Sequence, residues 1–142
     1  MKTAAFAPLL LMALAVSACG KDAATPTSAT TTSVPSTRLF AGTLAVNGSA
    51  FFSFTASQSG TASATLASVT AGATGRTLSV PLGLGIGIPE GFDCSLLSST
   101  TATPALVPQL TYLPAAATYC VRVYDTGALT SDVAFAVRIT YP

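Results

Sequence analysis

The sequence contains no histidine and no tryptophan, and only 8% of its residues carry charge. Each shortage removes a class of chemistry. Without an imidazole, Ser-His-Asp and Cys-His arrangements are excluded, because their nucleophile has no base to activate it. A Ser-Lys pair would need a lysine in the folded region, yet Lys2 and Lys21 both precede it. Zinc chemistry is short of ligands for the same reason, with three cysteines and no histidine to supply them. A formal net charge of +1 provides no basic surface for phosphates, so no nucleic-acid partner is expected. Arg76, Arg122 and Arg138 could make a weak basic patch, or stand as single solvated charges. Without tryptophan, a sugar-stacking platform would fall to Tyr112, Tyr119, Tyr124 and Tyr141, of which Tyr119 and Tyr141 are expected to point inward.

What remains is a chain of 142 residues rich in Ser, Thr, Ala and Gly, long enough for one ordinary domain. Residues 1–18 hold Lys2 and then an apolar run, Ala4 to Val16, interrupted by Pro8. That run is too short for a retained membrane span. It ends in Val16-Ser17-Ala18-Cys19, which resembles the lipobox of bacterial lipoprotein signals. The resemblance implies that residues 1–18 are removed and that Cys19 becomes the amino terminus. It also implies that Cys19 carries acyl chains such as palmitate, enough to anchor the protein without a span. Gly20, not aspartate, follows the cysteine, which implies outer-membrane sorting in a Gram-negative source. The alternative is a soluble secreted protein cut near Ala18.

An exported domain meets an oxidising compartment, so Cys94 and Cys120 are expected to be bonded to each other. In the chain-entropy description, a loop of this length is stabilised by roughly 3–4 kcal/mol. Residues 19–37 are mostly Ala, Thr, Ser and Pro, with Val34 the one core-like side chain after Lys21. Such a stretch buries too little apolar area to offset its ordering entropy. It reads as a flexible tether, or on composition alone as a glycosylated stalk.

Residues 38–142 change to strand periodicity. Leu39 to Val46 and Ala50 to Ala56 flank Asn47-Gly48, a strong hairpin signal. In the second run Phe52 and Phe54 share one face and Phe51 the other. Thr61 to Thr70 is a further strand, with Leu66 its large core residue. Leu78, Val80, Leu82, Leu84 and Ile86 alternate with Thr77, Ser79, Pro81, Gly83 and Gly85, predicting one strand with an apolar face. The glycines on its other face predict close approach or bending, and Pro81 an edge or bulge. Ile88 to Asp93 reads as a turn, Cys94 to Leu97 as a short strand, Ser98 to Pro108 as a polar loop and Gln109 to Leu113 as a short strand. Thr118 to Asp125 is the strongest strand signal. There Tyr119, Val121 and Val123 face the core, while Cys120, Arg122 and Tyr124 face away. Val133 to Tyr141 alternates as the last strand. About eight short strands and no helical period predict an antiparallel β-sandwich or barrel.

Gly42-Thr43-Leu44, Phe52-Ser53-Phe54-Thr55-Ala56, Ser59-Gly60-Thr61 and Leu66 are similar to the opening of the bacterial pre-peptidase C-terminal (PPC) domain. Ala117 to Asp125 and Phe135 to Ile139 are similar to its closing hairpin. The resemblance covers most of residues 38–142 and implies a jelly-roll-like sandwich appended to secreted proteases and other exported proteins. The chain departs from the family in having the turn Ala115-Ala116-Ala117-Thr118 before Tyr119 where a glycine is usual, and no protease domain for the module to serve.

The family includes calcium binders, which direct attention to Glu90, Asp93, Asp125 and Asp132, the acids of this region. The same four are the candidates for paired-carboxylate chemistry. The plain alternative is turn chemistry, in which each carboxylate caps backbone amides. The expectation is a non-catalytic envelope lipoprotein that displays its sandwich for binding or structure, without a cofactor. Its partners would be the membrane, through the lipid, and an envelope protein or polysaccharide. The alternative is a calcium- or polysaccharide-binding accessory module for secreted or surface proteins.

Overall fold

The computed structural model describes residues 34–142; the apolar leader, Cys19 and the stretch up to residue 33 lie outside the described residues. Eight strands follow in order: β1 (Ser36–Leu44), β2 (Ser49–Ala56), β3 (Ala62–Ala71), β4 (Leu82–Glu90), β5 (Asp93–Ala102), β6 (Leu110–Tyr112), β7 (Ala117–Tyr124) and β8 (Val133–Tyr141). They form two four-stranded sheets, β1-β8-β3-β6 and β2-β7-β4-β5, with every pair antiparallel. This is the jelly-roll order: β1 faces β2, β3 faces β4 and β5 faces β6 across the sandwich.

Period-two patterning explains which faces meet. In β8, Val133, Phe135, Val137, Ile139 and Tyr141 are buried while the residues between them are half-exposed. Tyr119, Val121 and Val123 of β7 and Leu82, Leu84 and Ile86 of β4 supply the facing layer. The core closes at one end around Phe54, whose ring lies 6.0 Å from that of Tyr119 and 5.0 Å from that of Tyr141. On the open side, Phe40 of β1 stacks on Phe52 of β2 at 4.8 Å, linking the two edge strands.

Four sequence expectations are corrected. Asn47-Gly48 is no hairpin: β1 pairs with β8 and β2 with β7, so the turn carries the chain from one sheet to the other. Local turn chemistry gives the turn but not the partner, which is set by burying both apolar faces. The turn expected over Ile88 to Asp93 narrows to Gly91-Phe92, where the hairpin proper joins β4 to β5, with Glu90 opposite Asp93 and Gly91 at φ 57°. Positive φ at the first central position alone is the type II′ pattern. The strand expected over Leu78 to Ile86 begins at Leu82, and Leu78 and Val80 pack on the core from outside any sheet. Finally, Asp93–Ala102 is one ten-residue strand, so the hydroxyl-rich Ser98 to Thr101 belongs to a ladder rather than a loop. Their small polar side chains suit an edge that is half wet.

The short β6 leaves most of β3 without a strand on that side. Gln109 closes the gap. Its Oε1 accepts the Leu66 N–H at 2.7 Å and its amide nitrogen donates to the Thr103 carbonyl, while Ala105 N donates to Leu66 O at 3.0 Å. Leu66 pairs with Val137 on one side but lies beyond the β3–β6 ladder on the other, which stops at Ala64. A side-chain amide, with an acceptor and donors on one plane, satisfies what the ladder does not.

Candidate functional site

The disulfide, Arg122 with Asp93, and Tyr124 come together on the outer face of the second sheet. β7 directs Cys120, Arg122 and Tyr124 outward, and their register partners on β4 are Gly87, Gly85 and Gly83. The glycine stripe therefore has a cause: Tyr124, Leu96 and the backbone of β5 occupy the space that side chains would fill. A Cβ on Gly85 would lie 2.7 Å from Leu96 Cδ2, and one on Gly83 would fall within the Tyr124 ring.

Between Ile86 and Gly87 the β4–β5 register shifts, leaving Leu97 unopposed. A bulge bends a ladder, and here it brings Cys94 to Cys120. Their Cα atoms are 6.0 Å apart and the sulfurs are bonded, although β4 lies between the two strands in the sheet. Strands two positions apart in a flat sheet would sit roughly 9–10 Å apart. Both cysteines are almost fully buried. Placing Cys120 on the Arg122 face, as the sequence expects, does not expose it, because the bent hairpin covers it.

Arg122 binds over this covered face. Its Nη1 pairs with Asp93 Oδ1 at 3.0 Å, its Nη2 donates to Ser49 Oγ at 3.2 Å, and its guanidinium carbon is 5.8 Å from the centre of the Tyr124 ring. Its buried Nε has no partner. A half-exposed pair of this kind contributes little alone. With the disulfide, it fixes the hairpin against the sheet.

The four acids occupy separate environments. Glu90 and Asp93 face each other across the hairpin tip, with Asp93 drawn to Arg122 and its own Oδ1 accepting from Cys94 N at 2.8 Å. Asp132 is exposed just before β8. Asp125 is taken up by amides: Oδ2 accepts from Asn47 N at 2.8 Å, and Oδ1 from Gly127, Ala128 and Leu129 at 2.8, 2.9 and 3.1 Å. The Asn47 amide is the largest influence holding its carboxyl below the usual value, and the other three amides add to it against partial desolvation. A carboxylate enclosed by N–H donors is a turn cap, and its environment suits an anion rather than a cation. Among the described residues, no three of Asp, Glu and Cys come together as a metal-binding group.

The arginines are likewise apart. Arg138 lies on the outer face of the first sheet and donates to Leu106 O at 2.9 Å, whereas Arg122 lies on the outer face of the second and Arg76 in an exposed turn. They make no common patch. Tyr119 and Tyr141 are inward, Tyr124 covers Gly83, and Tyr112 stands edge-on to Tyr119 at 5.8 Å. The tyrosines form no external platform. Beside Tyr112 a surface depression is lined by Thr61, Thr111 and Leu113, which the sequence did not single out. Nor did it reveal the pairing of Asp125 with Asn47, although Asp125-Thr126-Gly127 carries the signature of an Asx turn.

No family model matches this chain, and no curated protein is similar to it. The functional reading rests on the residues themselves.

Proposed function

We propose that this protein is a non-catalytic lipoprotein of the cell envelope, anchored through Cys19 and displaying the jelly-roll sandwich as a binding or structural module. One observation carries the reading: the lipobox-like Val16-Ser17-Ala18-Cys19 directly after an apolar run. Two others support it. Cys94 and Cys120 are bonded to each other, which fits an oxidising compartment and leaves Cys19 outside the domain's disulfide. The sequence lacks histidine, and Asp93 and Asp125 are each held by hydrogen bonds that order turns, which favours structure over acid–base catalysis. The resemblance to the PPC family belongs to the same proposal, with the sandwich as an accessory module facing an envelope partner.

Cell fractionation of the wild type and of Cys19→Ser tests the reading. The wild type is expected in the membrane fraction and the variant in the soluble extracytoplasmic fraction. Equal distribution of the two chains would contradict the anchor.

A further inference from the structure

Asn47 is the sole asparagine of the sequence, and Gly48 follows it. The fold dictates both. Asn47 sits at φ 58° in the turn between β1 and β2, a backbone region that Asn tolerates better than other side-chain-bearing residues. A Cβ on Gly48 would lie 2.8 Å from the Ala45 carbonyl oxygen, so residue 48 must be glycine. The corner that joins the two sheets is thus built from a dipeptide with a chemical weakness. A side-chain amide stands next to a peptide nitrogen that no neighbouring side chain shields.

We propose that Asn47-Gly48 is a site of intramolecular deamidation, gated by the hydrogen bonds that Asp125 makes to the corner. In the reaction the Gly48 nitrogen, deprotonated by solvent base, attacks Asn47 Cγ. The Cγ–Nδ2 bond breaks and ammonia leaves, giving a cyclic imide. Water then adds to either imide carbonyl and reopens the ring as aspartate or isoaspartate at position 47. The net change is the gain of water and the loss of ammonia, with no oxidant or reductant.

Three backbone contacts oppose the attack in the closed corner. Asn47 N donates to Asp125 Oδ2 at 2.8 Å, Gly48 N donates to Ala45 O at 2.9 Å, and Gly48 O accepts from Asp125 N at 3.0 Å. The attacking nitrogen has its proton committed to Ala45, and the peptide cannot turn towards Cγ while Asp125 holds both sides of it. Reaction therefore requires local opening, which for an exposed corner is far easier than global unfolding. The step runs one way. The product carboxylate at residue 47 is created beside the Asp125 carboxylate, and the isoaspartyl form also adds a methylene to a turn that depends on its hydrogen bonds. A converted corner does not close as before.

The test follows the mass of the peptide containing residue 47 over time at mildly alkaline pH, using the full chain. Compared are the native protein, the same chain in denaturant, and Asp125→Ala. The native chain is expected to gain the mass of exchanging an amide NH2 for a hydroxyl, more slowly than the denatured chain. Asp125→Ala is expected to convert about tenfold faster than the native protein, the effect of losing a charge-assisted hydrogen bond. Amide hydrogen exchange on the wild type guards against a variant that simply unfolds. Protection at Asn47 and Gly48 should match the native-state slowing within about a factor of three, since one opening event governs both. Asn47 still intact in the native protein well past the time at which its measured protection calls for conversion would overturn the proposal. So would a folded Asp125→Ala that converts at the wild-type rate, or native conversion that ignores the measured protection.

Discussion

Asp125 closes two connections at once: its Oδ2 takes the Asn47 amide of the β1–β2 corner, and its Oδ1 takes three amides of the turn leading to β8. The residues are far apart in sequence, and each connection crosses from one sheet to the other. The carboxylate therefore joins two of the places at one end of the sandwich where the chain changes sheet.

That arrangement predicts acid sensitivity. The folded-state pKa of Asp125 lies below the ordinary value of 3.8, so the folded protein favours the ionised form. Its stabilisation is complete above the unfolded-state pKa and is lost as pH falls through the folded one. Thermal melting of the wild type should show a stability that declines below about pH 4. In Asp125→Asn the melting temperature should be lower at neutral pH, with a shallower acid decline. A variant with an unchanged acid profile would remove Asp125 from this role.

The glycine stripe makes a steric prediction. Gly83→Ala places a methyl group in the Tyr124 ring, and overpacking of this kind destabilises by about 1–3 kcal/mol. Adding Tyr124→Ala to it should cost less than the sum of the two single changes, because the colliding partner is gone. Chemical denaturation of all three variants measures the coupling, and strict additivity would contradict the contact.

The disulfide closes a loop with a sequence separation of 26. Replacing Cys94 and Cys120 together by alanine should lower stability by about 3–4 kcal/mol. The Arg122–Asp93 pair should then contribute no more than a surface ion pair does, about 0–1 kcal/mol. Urea denaturation of the double variant, with and without Asp93→Asn, separates the two.

How much of this was legible beforehand depends on the range of the interaction. The alternation in β7 and β8 is visible because each strand buries one face, and period two follows directly from that. Val121, Val123, Val137 and Ile139 are fully buried, as their spacing predicts. Asn47-Gly48 misled because a turn signal specifies backbone geometry and not which strand lies alongside. Ser98 to Thr101 misled because an edge ladder needs no apolar residue to hold it. The glycines of β4 signalled close approach without naming Tyr124 or Leu96, since those contacts are non-local. For the candidate site, Cys94 with Cys120 was readable by elimination. The Asp125–Asn47 bond was not, because nothing local connects a corner to a loop 78 residues away.

Gln109 offers a test of edge satisfaction. Gln109→Ala leaves the Leu66 N–H without its 2.7 Å acceptor. A buried donor left unpaired costs about 1–3 kcal/mol. Phe92→Ser serves as the contrast: Phe92 is fully exposed at the hairpin tip, so its replacement should change stability by no more than about 0.5 kcal/mol. Equal losses in the two variants would contradict the assignment of roles.

The central claim is the lipid anchor, and intact mass spectrometry of protein taken from its native membrane addresses it most directly. The account predicts a chain beginning at Cys19, heavier than its sequence by a diacylglyceryl group and an amide-linked acyl chain, with reduction adding the mass of opening one disulfide. An unmodified chain, or one that keeps residues 1–18, would contradict the anchor and the localisation built on it.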